Sequence, residues 1–179
     1  MRFSETPLRG AFLIELDRLE DERGWFARTY DSERFAELGL DPTGTQCSVS
    51  VNRKAGTLRG MHWQESPHGE DKLVRCVRGA IFDAIIDLRE DSETHCAWYG
   101  VELTPQDGLE LLVPKGFAHG FQTLADDTEV HYQMSYPFTA GAGRGVRFDD
   151  RRFGIEWPEP PEGGRIISER DATYPDFAP

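Results

Sequence analysis

The sequence predicts an all-β fold of the sandwich or barrel kind, and three observations lead there. Short runs of alternating polarity recur along most of the chain, turn-forming residues punctuate them at close intervals, and helical periodicity is confined to two brief stretches. Taken in order, "GAFLIEL" reads as a strand near the start. "DSERFAELG" reads as a short helix, with Asp31 or Ser32 as its N-cap and Gly39 as its stop. "TQCSVSVN", "GTLRGMHWQ", "KLVRCVRGAIFDAIIDL", "AWYGVELT", "LELLVP", "AHGFQTLA" and "EVHYQMSY" then read as strands, each closed by Gly, Pro, Asp or Asn. The Arg78–Gly79 break between two β-rich runs suggests a tight hairpin. In the strand after it, Ile81, Asp83, Ile85 and Asp87 share one face. From about residue 147 the chain is rich in Pro and Gly and reads as an irregular wrap, with one helical turn at "SERD".

Composition bounds what such a fold can do. At 179 residues, with 38% hydrophobic and 29% charged residues, the chain suits one globular domain with its own core. No internal repeat or linker divides it, so residues 1–179 are expected to form one unit, with a barrel core at about residues 45–140. No run approaches the roughly 20 apolar residues that span a bilayer, and "MRFSETPLRG" lacks the apolar centre of a signal peptide, so a cytoplasmic protein without membrane contact is expected. The three cysteines, Cys47, Cys76 and Cys96, are widely spaced and odd in number, which reads as reduced, partly buried thiols. With 32 acidic against 20 basic residues, the net charge of −12 repels nucleic acid. An anionic small ligand would need a local cluster of Arg and Lys.

The chemistry concentrates in two segments with a shared grammar. Gly56 is followed by five residues and then His62, and Gly108 by five residues and then Pro114, in a run that ends at His119. This pair resembles the two motifs of the cupin superfamily over roughly residues 56–123, which implies a jelly-roll β-barrel with short peripheral helices. In metal-binding cupins a second His and a Glu complete the ligand set. Here Gln64 stands in the His slot and Lys72 in the Glu slot. A protonated lysine repels a divalent cation and donates no electron pair to it, so neither a metal nor another cofactor is expected. A neutral-range base beside a fixed cation suits proton abstraction next to a carbonyl, with the cation on the enolate oxygen. His68, in "ESPHGED", and His95, in "SETHCAW", have no motif around them and read as surface residues. His131 alternates away from Tyr132 and reads as structural, and Arg151 and Arg152 read as solvated charges.

Within the cupins, "DERGWF", "GTLRGMHWQ", "KLVRCVRGAIFDAIIDLR", "VPKGFAHGFQTL", "RGVRFDD", "FGIEWP" and "SERD" stand in an order that resembles the dTDP-4-dehydrorhamnose 3,5-epimerase family across nearly the whole chain. The resemblance implies a cofactor-independent isomerase that inverts C3 and C5 of a nucleotide-linked 4-keto-6-deoxy sugar. Carried over by motif, it makes His62 the base, Asp171 its carboxylate partner and Tyr132 the general acid on the opposite face of the sugar. Lys72 then stabilises the enolate and His119 supports the substrate. It also implies that Arg23 and Arg59 contact the diphosphate and nucleotide, that Phe26 and Gln46 contact the nucleobase, and that Phe138 offers a stacking ring. A homodimer follows on the same grounds, its N-terminal segment carrying Arg23 and Phe26 across to the neighbouring subunit. The sequence departs from the family pattern in "GWFARTY", with Arg28 where Glu is usual, in "QCS" for "QDN", and in Phe138 for Tyr. These departures leave the base, acid and cation intact and bear on the nucleotide and on the number of centres inverted. The alternatives are a single-centre epimerase on another nucleotide-linked ketosugar and a non-catalytic sugar-nucleotide-binding cupin.

Overall fold

A computed structural model describes residues 1–40 and 44–178. Strands β1 (Arg2–Glu5) and β2 (Phe12–Glu15) precede a small hairpin of β3 (Leu19–Asp21) and β4 (Gly24–Phe26), then helix α1 (Ser32–Glu37). The central run comprises β5 (Gln46–Asn52), β6 (Thr57–Gln64), β7 (Lys72–Arg78), β8 (Ile81–Asp87), β9 (Trp98–Leu103), β10 (Leu109–Val113), β11 (Phe117–Thr123) and β12 (Thr128–Met134). Beyond it lie β13 (Gly143–Gly145), β14 (Ile166–Ile167) and helix α2 (Glu169–Ala172).

These strands form two sheets, in the orders β1-β2-β10-β7-β12-β5 and β13-β6-β11-β8-β9, with β14 added parallel to β6. They pack face to face as a jelly roll. Val74, Cys76, Leu111 and Val130 from the first sheet meet Ile81, Ile85, Leu103, Phe117 and Phe121 from the second in one buried cluster. The alternation read in β8 separates its faces as expected: Ile81 and Ile85 point into this cluster, while Ala84 and Ile86 point outward. That outward face is also buried. Met61, Ala118, Val146 and Phe153 cover it together with Trp157 and Phe177 of the tail, so the Pro- and Gly-rich wrap forms a third layer.

Two local expectations change. The Arg78–Gly79 break joins strands of different sheets and makes no hairpin: β7 lies between β10 and β12, and β8 between β11 and β9. Crossing between layers lets Val74 and Cys76 meet Ile81 and Ile85 across one core, which a flat hairpin would place side by side in a single layer. The tail is also less irregular than its composition indicates, because β14 pairs with β6, as does β13 just before the tail. The first sheet further takes in β1 and β2, outside the 45–140 stretch read as the barrel.

Both helices start as the sequence indicates. Asp31 caps α1 by accepting from the Glu33 and Arg34 amides, and Gly39 follows the helix with φ +68°. Ser168 caps α2 by accepting from the Asp171 amide at 3.1 Å, and this cap sets the orientation of Asp171. Among the described residues no helix is long and apolar enough to cross a membrane. Of the three free thiols, Cys76 is buried, Cys96 half-buried and Cys47 exposed, the last against expectation.

Candidate active site

The pocket, of about 570 Å³, opens between the two sheets and is lined by Ser48, Ser50, Arg59, His62, Lys72, His119, Tyr132 and Asp171, among others. His62 on β6 and His119 on β11 are register partners. Opposed residues of antiparallel strands share a face, so both imidazoles enter the same cavity. The two strands come unusually close there. A Cβ on Gly60 would lie 2.6 Å from the Gly120 Cα, so glycine is the residue that permits the approach.

Each imidazole is held by its own carboxylate. His62 Nε2 lies 2.8 Å from Asp171 Oδ1, and Asp171 Oδ2 accepts the Gly60 amide at 3.2 Å. His119 Nε2 lies 2.7 Å from Asp83 Oδ1, with Asp83 fully buried. A carboxylate oxygen only accepts, so Nε2 of each ring carries the proton and Nδ1 is left as the basic nitrogen. Burial lowers the His62 pKa from its ordinary value, Asp171 acts to raise it, and the charges of Lys72 and Arg170 reinforce the lowering. His62 is therefore neutral, and able to take a proton, across the neutral range.

Tyr132 on β12 stands edge-on to His119, ring centroids 6.0 Å apart. Burial drives its phenol well above the ordinary value and the Asp83 charge adds to this, while Arg59 draws it back. Tyr132 thus keeps its proton until something in the site demands it. Lys72 is not a lone cation: its Nζ lies 3.1 Å from Oε1 of the buried Glu70 and 3.4 Å from the His62 carbonyl. The other Glu70 oxygen accepts from Gln64 Nε2 at 2.7 Å, and Gln64 Oε1 accepts the Thr139 amide at 2.7 Å. A chain of polar contacts thereby joins Lys72 to the segment carrying Phe138. Arg59 is aimed by Asn52, whose Oδ1 accepts from Arg59 Nε at 2.8 Å.

The expected residues divide into three places. His62, Tyr132, Asp171, Lys72, His119 and Arg59 converge on the pocket. Gln46 and Phe138 meet each other beyond its lining: Gln46 Oε1 accepts the Phe138 amide at 2.8 Å, and the Phe138 ring is exposed. Arg23 and Phe26 lie on the β3–β4 hairpin, away from this chain's pocket, with Arg23 paired to Asp21 and Phe26 exposed. Arg28 pairs with Asp31 at the start of α1.

His68 and His95, expected at the surface, are half-buried and bonded, His95 Nδ1 to the Arg89 carbonyl at 3.0 Å and His68 Nδ1 to the Tyr136 hydroxyl at 3.4 Å. His95 packs against Phe177 of the C-terminal layer and His68 against Tyr136 just beyond β12, contacts that their local sequence does not reveal. His131 faces away from the pocket as expected, while Arg151 and Arg152 are exposed.

Sequence reading passed over Asp83, Glu70 and Asn52. Asp83 did carry a signal, since a carboxylate sharing a face with Ile81 and Ile85 is costly unless a buried partner meets it. Glu70 carried none, because only the fold turns it back onto Lys72.

The model of the dTDP-4-dehydrorhamnose 3,5-epimerase family matches residues 5–179. A relative of that description from Methanothermobacter thermautotrophicus is 41% identical over 97% of this chain and 92% of its own length. The crystal structure of the enzyme from Elizabethkingia anophelis superposes with a TM-score of 0.94 at 38% identity, covering 99% of this chain and 96% of the other. The Legionella pneumophila enzyme in complex with dTDP-4-keto-L-rhamnose gives 0.90 at 30% identity, covering 97% and 90%. A 3'-monoepimerase from Streptomyces bikiniensis in complex with dTDP-quinovose gives 0.87 at 29%, covering 96% and 85%. The match runs over almost all of the chain and includes β6, β12 and α2, which bring His62, Tyr132 and Asp171 together, so the chain belongs to the dTDP-4-dehydrorhamnose 3,5-epimerase family.

Proposed function

We propose that this protein inverts C3 and C5 of dTDP-4-keto-6-deoxyglucose without a cofactor, giving dTDP-4-keto-L-rhamnose. The observation that carries the reading is the convergence of a carboxylate-held base, a protonated phenol and a cation on one pocket. His62 Nδ1 takes the proton from the carbon beside the C4 ketone, and the bond electrons move onto the C4 oxygen. The Lys72 ammonium stabilises that enolate, and Asp171 stabilises the imidazolium. The Tyr132 hydroxyl then protonates the same carbon from the opposite face, which inverts it. The positive charge of Arg59 favours the phenolate left behind. Exchange with solvent resets both groups, and the second centre follows the same course.

Arg59 at the pocket wall suits the diphosphate, and the exposed Phe138 ring, its backbone held by Gln46, suits stacking on the nucleobase. Arg23 and Phe26 would serve the neighbouring subunit's site in a homodimer. The outer face of the first sheet supports that assembly. Ser48 and Ser50 line the pocket, so Val49 and Val51 alternate outward, where they are 60% and 59% exposed, and Val77 is exposed on the same face. Nucleotide sugars are made from intracellular nucleotides, which favours a cytoplasmic enzyme.

The test is mass spectrometry of the keto-sugar nucleotide after incubation in heavy water, with His62→Ala subtracting spontaneous exchange. Two solvent deuterons are expected. One deuteron would instead establish a single-centre enzyme like the Streptomyces monoepimerase, and none would refute the assignment.

A further inference from the structure

We propose that Tyr174, seated in the space left by Gly145, is a positioning residue that holds the His62 ring in its working orientation. The β13–β6 register sets Gly145 opposite His62. Opposed residues present their side chains on one face, so any side chain at 145 would lie beside the imidazole. Glycine leaves that space empty, and the Tyr174 ring fills it. A Cβ on Gly145 would lie 2.3 Å from the Tyr174 ring carbons. The Gly145 backbone is not in the left-handed region, so it is Tyr174 that excludes a larger residue there.

Tyr174 meets His62 edge-on, with ring centroids 5.8 Å apart and planes at 71°, and Arg170 lies over the tyrosine ring at 5.5 Å. The segment that delivers Asp171 to His62 Nε2 thus also delivers a second wall three residues later. Hydrogen bond and ring contact together fix the tilt of the imidazole, which a carboxylate alone leaves free to rock about Nε2. The Tyr174 hydroxyl is buried and finds no hydrogen-bond partner among the described residues. The role therefore belongs to the ring.

This inference rests on His62 being the base of the proposed reaction. The charged and titratable groups facing His62 are Asp171 and Arg170 from the tail, Lys72 from β7, and His119 from β11 with Asp83 behind it; Tyr132 of β12 shares the cavity. All but Arg170, which stacks on the tyrosine ring, keep their contacts when Tyr174 is changed, and release of Arg170 relieves a charge that lowers the His62 pKa. The main difference is then that the ring gains water, which shifts its titration upward toward the ordinary imidazole range.

The experiment follows His62 by NMR titration of histidine-labelled protein, alongside pH profiles of kcat/KM, in wild type, Tyr174→Phe, Tyr174→Ala and Gly145→Ala. Tyr174→Ala is expected to raise the His62 titration midpoint and lower kcat on the order of 3- to 10-fold with KM held. Tyr174→Phe should match wild type. Gly145→Ala should move the midpoint in the same direction as Tyr174→Ala. Should it melt early, Gly145→Ala within Tyr174→Ala should cost little further stability, because the space is vacant. A midpoint and kcat unchanged in Tyr174→Ala would overturn the proposal, as would a Tyr174→Phe that behaves like Tyr174→Ala. The NMR readout needs no turnover, so an inactive wild type refutes the epimerase reading without deciding this one.

Discussion

His62 and His119 face one another across adjacent strands, and each points Nε2 at a separate buried carboxylate, Asp171 at 2.8 Å and Asp83 at 2.7 Å. The two dyads differ in position. The His62 side chain is 39% exposed and that of His119 only 6%, so the first can reach a ligand and the second braces the wall. That difference favours His62 as the base.

Asp171→Asn leaves the Gly60 amide an oxygen to bond but removes the charge that stabilises the imidazolium and selects the tautomer. It is expected to lower kcat on the order of 100- to 10,000-fold. Circular dichroism and nucleotide affinity should stay close to wild type, so a variant that loses both would mean that Asp171 is holding the fold.

The pH profile follows from the two perturbed groups. Neutral His62 is the active form and burial lowers its pKa, so kcat/KM is expected to climb with pH below about 6.5 and then level. Tyr132, raised by burial, keeps its proton and adds no alkaline limb below about pH 10. Steady-state rates across this range test both statements. An acid limb centred above neutrality would contradict the first.

Glu70 holds Lys72 at 3.1 Å and does not itself line the pocket, so its effect on turnover should pass through Lys72. Glu70→Ala is expected to lower kcat about 10-fold in the wild type and to change little in a Lys72→Met background. Equal losses in both backgrounds, measured as a double-mutant cycle, would separate the two residues.

Glu110 lies on the outer face of the first sheet with Arg75 3.5 Å away, yet burial outweighs that guanidinium and pushes the carboxyl up to about 8. The unfolded carboxyl titrates near the ordinary value of 4.5, so between 4.5 and about 8 the folded chain holds a proton that the unfolded chain has released. This group's contribution to stability accordingly falls as pH rises through that window. Glu110→Gln cannot ionise, and its Tm is expected to improve relative to wild type from about pH 5 to about pH 8, then level off. A constant offset would reflect only the lost Arg75 contact. The slope is the test.

Charge on the outer face should break the proposed dimer. Val49→Asp with Val51→Asp adds two anions at exposed positions of β5, opposite His131 and Glu129 of β12, where neither valine belongs to the buried core, so the fold should persist while light scattering reports a monomer. A wild-type protein that is itself monomeric would refute the assembly.

The sequence by itself determined the layered β architecture and the cap of the first helix. Each of these rests on a local rule: side-chain alternation in strands, and capping by Asp31. By resemblance it also named Asp171 as the partner of His62. What the tertiary structure decided were contacts between residues whose distance in space has no counterpart in their spacing along the chain. The crossing of Gly79 between sheets, the seat of Tyr174 against Gly145, the Asp83–His119 dyad and the Glu70–Lys72 pair all depend on which strands become neighbours. Strand order follows from burying both faces of β8 at once, a condition on the whole chain that no short window of sequence contains.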